Sequence, residues 1–221
     1  MGMREPMPHP GVLIAFCGID GSGKSTQVRL AAEWLAVSEK VTVLRPNTEW
    51  YRRQDPVIRS YMDGSMSPEQ RHDMVAELAL FSAADRYRQT RTEVLPRLAA
   101  GEIVLMDRYV HTSWTWAIAR GLDDAAWLAE LNRYFPPADL TMCFDVDVST
   151  ARQRILARGE LPRWEEQDTE RMRRVRQAFL DQPWGTSDTY HILDAEQPAD
   201  DLAIIVRKLV GQTLRSRDHG R

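Results

Sequence analysis

Residues 16–27 read FCGIDGSGKSTQ, and Gly18 to Ser25 within them fit the spacing G-x-x-x-x-G-K-[S/T]. This pattern needs a strand before it and a helix after it, because its backbone N–H groups must turn inward on an anion while the helix N-terminus adds partial positive charge. Both neighbours are present. GVLIAFC (11–17) is a continuous apolar run of the kind a strand buried on both faces requires. KSTQVRLAAEWLAV places Val28, Leu30, Ala31, Leu35 and Val37 near helical spacing. The stretch therefore predicts a phosphate cradle formed by Gly18, Gly21, Ser22, Gly23, Lys24, Ser25 and Thr26. Lys24 would reach the β- and γ-phosphates of a nucleotide, and the Ser25 hydroxyl would face a Mg²⁺ ion. A glycine-rich turn that only packs a strand against a helix is the alternative, and the full motif between strand and helix argues against it.

Beyond the loop, apolar runs and helical patterns alternate. KVTVLR (40–45), EIVLMD (102–107) and TYHILDA (189–195) read as strands, and PPADLTMCFDV (136–146) as a turn followed by a strand. Ser67 looks like an N-cap, with Pro68 at the first helical position and Gln70 completing a capping box, so a long helix is expected over 68–95, ended or kinked at Pro96. Helices are also expected over 56–62, 111–121, 123–135, 148–159, 164–182 and 200–214. Strands alternating with helices predict an α/β fold with a parallel sheet covered on both faces. One domain is expected over 11–214, with flexible ends at 1–10 and 215–221.

Asp107 ends the strand EIVLMD. Strand C-termini share one edge of a parallel sheet, so Asp107 would stand beside the loop and order a metal with Ser25. It could instead cap the next helix, but its place directly before Arg108 favours the loop. The formal net charge of −3 gives no overall attraction to a nucleic acid polymer or an anionic membrane. No apolar run approaches the length of a membrane helix, Pro6 breaks a myristoylation pattern, and the first residues do not read as a signal peptide, so a cytoplasmic protein is expected. Cys17 and Cys143 each lie in or beside an apolar strand and read as small buried hydrophobes rather than metal ligands or a disulfide.

DGSGKST, DRY at 107–109, ARGELPRWEEQ at 157–167 and ILDA at 192–195 stand in the order found in thymidylate kinases, and the chain resembles that family over about 11–210. The resemblance implies the three-layer P-loop NTPase fold with a five-stranded parallel sheet in order 2-3-1-4-5. It also implies a mobile lid near 157–167, ATP as phosphoryl donor, Mg²⁺, dTMP as acceptor and a homodimer. It assigns Asp20 to the acceptor sugar and metal, Lys24 to the donor phosphates, Asp107 to the metal, and Arg108 to the acceptor or transferred phosphate. Arg45 and Arg86 fall where the family approaches the acceptor nucleotide. The loop has no arginine, so Arg158 and Arg163 of the lid are the candidates to offset transition-state charge. Glu165 would orient a lid arginine or lie exposed. Arg171, Arg173 and Arg176 read as a solvated helix face.

The acceptor pocket departs from the family. The aromatic residue that stacks on thymine four positions before the helix arginine is replaced by Ser82. Phe81 stands one position earlier, a rotation of about 140° from Arg86 instead of about 40°; a local helix irregularity would bring Phe81 onto the acceptor base, and otherwise the stacking partner is missing. Ser113 stands where a base contact is expected, and Trp116 stands in place of a tyrosine beside the sugar 2′ position. One of Trp114 and Trp116 is expected in the core. Cys17 replaces a glutamate common before the loop. These changes leave open a second reading, the same transfer to another or modified nucleotide or phosphorylated metabolite. A third is a nucleotide-binding module without turnover.

Overall fold

The computed structural model describes residues 9–46, 48, 55–122, 124–159, 164–182, 184 and 189–219. The sheet is built from β1 (Val12–Cys17), β2 (Val41–Leu44), β3 (Ile103–Asp107), β4 (Leu140–Asp145) and β5 (Tyr190–Asp194), in the order β2-β3-β1-β4-β5. All neighbours pair in parallel. β1 at the centre is buried at every position, which explains its unbroken apolar run. The register sets Phe16 opposite Asp107 and Cys17 opposite Cys143, so the C-terminal ends of β3 and β4 flank the start of the phosphate loop.

The helices are α1 (Lys24–Leu35), α2 (Pro56–Met62), α3 (Pro68–Asp73), α4 (Val75–Gln89), α5 (Leu95–Ala99), α6 (Val110–Ala119), α7 (Ala125–Asn132), α8 (Val148–Ala157), α9 (Trp164–Gln167), α10 (Thr169–Asp181) and α11 (Ala199–His219). One core joins the sheet to both helical layers. A smaller cluster of Ile58, Tyr61, Met74 and Leu78 packs under α2 and α4. Among the described residues no helix is long and apolar enough to cross a membrane.

Three expected helices need correction. The one expected over 68–95 is divided. Its capping box at Ser67 and Gln70 forms, but α3 stops at Asp73 and α4 begins at Val75. A π-helical stretch over Thr90–Val94 then widens the turn before α5. Pro96 interrupts nothing: it lies in the first turn of α5, where its missing N–H has no intrahelical role. The helix expected over 164–182 breaks at Asp168, whose side chain accepts from the Arg171 N–H and caps α10. The last helix runs past Leu214 through His219, held by Arg217, which donates to the His9 and Gly11 carbonyls and to Asp139.

Candidate active site

The phosphate loop takes its shape from glycines with positive φ: Gly18 (138°), Gly21 (82°) and Gly23 (84°). Gly21 is also fixed by space, since a Cβ there would lie 2.2 Å from the carbonyl oxygen of Ala151 in α8. Lys24 opens α1 and is buried; its ammonium donates to the Ile19 carbonyl at 2.9 Å and lies 3.7 Å from Asp20. Burial, then the nearby Arg108, lower its pKa to about 8, while Asp20 and Asp107 oppose the shift. The ammonium is therefore held next to the loop with little solvation, ready to gain from an anion.

Asp107 reaches the loop as expected. It is buried at the end of β3, accepts the Ser25 hydroxyl at 2.9 Å, and accepts Arg45 at 2.5 Å. It does not cap α6, whose first flanking residue is Tyr109. A serine hydroxyl and a carboxylate are hard oxygen donors. A Mg²⁺ ion takes few protein ligands and completes its shell with water and phosphate, and the two side chains fit that demand. Arg108 is the non-glycine residue next to the strand end with φ of 79°. This left-handed turn aims its guanidinium back over the loop, where it donates to the Gly18 carbonyl at 3.0 Å and pairs with Asp20.

Two openings flank the loop. One is a cleft of about 130 Å³ lined by Asp20 and Arg108 at its phosphate end. It continues past Thr112, Ser113 and Trp116 of α6 and Leu78, Ala79 and Ser82 of α4 to Tyr61, Arg120 and Glu165. The other is a groove of about 340 Å³ lined by Ser22, Gly23, Thr26 and Gln27, with Arg154 and Arg158 on one side and residues 195–199 on the other. The loop thus stands between the two openings.

Arg86 is buried beneath the first cleft, donates to the Ser113 hydroxyl and to Asn132 Oδ1 at 3.4 Å, and lies 5.4 Å from the Phe135 ring. Trp116 faces the cleft while Trp114 is core. Ser82 lines the cleft and Phe81 does not. The extra residue of rotation turns Phe81 onto the cluster around Ile58, Tyr61 and Met74. Arg158 is an exposed residue of the second groove. Arg163 and the rest of 160–163 lie outside the described residues. Glu165 neither lies exposed nor meets a lid arginine among the described residues: it accepts a fork from Arg120. Of the charged face on α10, Arg173 pairs with Glu170 at the surface, whereas Arg176 is tied to Asp145 and Asp147.

Sequence reasoning missed Arg120, Tyr61, Arg154 and Asp85. Asp85 is buried and accepts the Thr48 N–H at 2.9 Å and its hydroxyl at 2.6 Å, while Gln89 donates to the Arg45 carbonyl at 2.9 Å. α4 thereby holds the chain after β2 that carries Arg45. The one available signal was that Asp85 directly precedes Arg86 in DR.

A Walker-type loop with an opening on either side, and a carboxylate and two arginines at the sheet edge, defines a P-loop phosphotransferase of the nucleoside monophosphate kinase class. Residues 16–203 match the family model described as thymidylate kinase, and the chain belongs to that family. It is similar to a probable thymidylate kinase of Archaeoglobus fulgidus, 34% identical over 201 residues that cover 90% of this chain and 94% of the relative. It is also similar to a thymidylate kinase of Leifsonia xyli subsp. xyli, 33% identical over 211 residues (93% and 97%). A probable thymidylate kinase of Pyrococcus horikoshii is 34% identical over 170 residues (77% and 82%).

Proposed function

We propose that the protein transfers the γ-phosphoryl group of ATP to dTMP, giving ADP and dTDP. The observation that supports this reading is the loop set between two openings, with Ser22, Gly23 and Thr26 lining the one and Asp20 and Arg108 lining the other. ATP would lie with its base in the groove beside residues 195–199 and its phosphates under the loop N–H groups. Arg108 and Arg45 would receive the acceptor phosphate, and Trp116 would crowd a ribose 2′-hydroxyl. Ser25 and Asp107 would hold Mg²⁺, which when bound neutralises charge between the β- and γ-phosphates. Arg158 and Arg163 would supply cationic charge to the transferring group. A non-catalytic binding role is disfavoured by the intact set of Lys24, Ser25, Asp107 and Arg108. The enzyme is proposed to act in the cytoplasm as a homodimer, which light scattering on the purified protein tests.

One observation favours a second acceptor. Ser82 lines the cleft where the resemblance implies an aromatic ring, so a pyrimidine with a larger substituent would gain space there. A panel of nucleoside monophosphates with ATP and Mg²⁺ separates the readings by ADP release. dTMP is expected to react fastest. Inert dTMP beside a reactive neighbour would shift the assignment, and no ADP with any acceptor would refute the kinase reading.

A further inference from the structure

One wall of the groove beside the phosphate loop is the segment that follows β5. Residues 195–198 form neither strand nor helix, so hydrogen bonds to neighbouring elements set the shape of this wall. Its start is tied to β4 and α8: the Ala195 N–H donates to the Asp145 carbonyl at 2.8 Å, and the Ala195 carbonyl accepts Arg154 Nη1 at 2.9 Å. Glu196 Oε1 accepts the Asp147 N–H at 2.7 Å. Its other end is tied to the helix of the loop itself. Gln27, in the first turn of α1, donates from Nε2 to the Ala199 carbonyl at 2.8 Å.

Gln27 is 1% exposed and lines the groove, and its Oε1 is buried without a hydrogen-bond partner among the described residues. Leaving a buried carbonyl unpaired costs at least as much as one neutral hydrogen bond returns, so the amide adds little as packing. A methionine would fill similar space without the orphan. What the amide does add is a fixed distance between α1 and the wall. We propose that Gln27 is a positioning residue for the donor base. α1 begins at the loop that would hold the phosphates, and Gln27 joins it to the wall against which the base would lie. One side chain thereby sets the span between the two ends of the groove. A polyphosphate that carries a base would gain from both ends, whereas one without a base uses the phosphate end alone. The role deepens the proposed kinase function and rests on its placing of the ATP base beside residues 195–199.

The test is calorimetric titration of the whole chain in Mg²⁺ with ADP and with inorganic tripolyphosphate, the probe that lacks a base. Gln27→Met keeps the volume and deletes the donor. Gln27→Glu keeps the shape and turns a second acceptor toward the Ala199 carbonyl. Each is expected to weaken ADP about 3–10-fold, the scale of one neutral hydrogen bond, and to leave tripolyphosphate within about twofold. In turnover with the best acceptor of the panel, KM for ATP should rise while kcat holds, as for a contact shared by ground and transition states. Gln27→Asn, one methylene shorter, is the fallback where those variants do not fold and should show the same split. Unchanged ADP binding would overturn the role. Equal weakening of both ligands would also overturn it, because that marks damage to the loop as a whole. Wild type that binds tripolyphosphate but not ADP would overturn the placing of the base. Wild type that binds neither would overturn the kinase reading first, whereas tight binding of both with unaffected variants would overturn this inference alone.

Discussion

Raising pH should weaken productive ATP capture through Lys24 alone. Burial and Arg108 lower the pKa of this lysine to about 8, so the unliganded group is about nine-tenths charged at pH 7 and about one-tenth charged at pH 9. The charged ammonium is the form that binds phosphate. kcat/KM for MgATP, which reports the free enzyme, should therefore fall roughly tenfold between pH 7 and pH 9. kcat should stay level over the same range, because bound phosphates favour the charged form and raise the lysine's proton affinity. The other buried groups with shifted ionisation stand clear of this window. His111 is pushed down to about 4 by burial, Cys143 up to about 12, and Cys17, Tyr61, Tyr109 and Tyr190 are likewise pushed up by burial. The assay is initial rate against ATP at saturating acceptor across pH 6.5 to 9.5, repeated with Lys24→Arg, whose guanidinium does not titrate. A flat wild-type profile, or the same break in Lys24→Arg, would refute the assignment.

Other expectations follow from single contacts. Gly21→Ala forces a side chain into a left-handed backbone at φ 82°, worth about 1–2 kcal/mol before the contact with Ala151 is counted. Thermal unfolding should drop by at least about 2–8 °C, and an unchanged melt would contradict the packing. Asp85→Ala leaves the Thr48 N–H and hydroxyl without their carboxylate, a loss of roughly 1–3 kcal/mol. It should raise KM for the acceptor through Arg45 more than KM for ATP, and the reverse order would count against it. Asp107→Asn should lower activity about 10–100-fold or more and raise the Mg²⁺ concentration needed for half-maximal rate. Chelation of Mg²⁺ should stop transfer and fresh Mg²⁺ restore it.

The sheet and the loop were legible because their signals are local. An apolar run, a glycine pattern and the following helix occupy adjacent residues, and the pairing of Phe16 with Asp107 then follows from parallel register. The break at Met74 and the π-helical stretch were hidden, because capping and helix propensity favoured continuity while tertiary packing decided otherwise. Whether Ser82 or Phe81 faces the cleft turned on one residue of helical rotation, which the sequence presents only as a spacing from Arg86. Glu165 was the hardest: Arg120 is 45 residues away and Tyr61 is 104 away, so no short pattern could join them.

Under the proposed function, the charges at the site predict that one loop would serve two phosphates unequally. On the proposed acceptor side two arginines each have a carboxylate: Arg108 holds Asp20 and Arg45 holds Asp107. A phosphate arriving there exchanges one anion for another, and its net gain is the difference between two charge-assisted contacts. On the donor side the close partner of Lys24 is a neutral carbonyl, with Asp20 more distant at 3.7 Å. That ammonium is desolvated without full compensation, which is why its pKa is low, and a polyphosphate restores what burial removed. Donor affinity is thus expected to depend on Lys24 ionisation, while acceptor affinity depends on geometry, on how well Arg108, Arg45 and the cleft wall match one phosphate and one base. A mutation that reshapes the cleft should accordingly change which acceptor is used and leave the donor's pH dependence as it was. Loss of that dependence in a cleft variant such as Trp116→Ala would break the division.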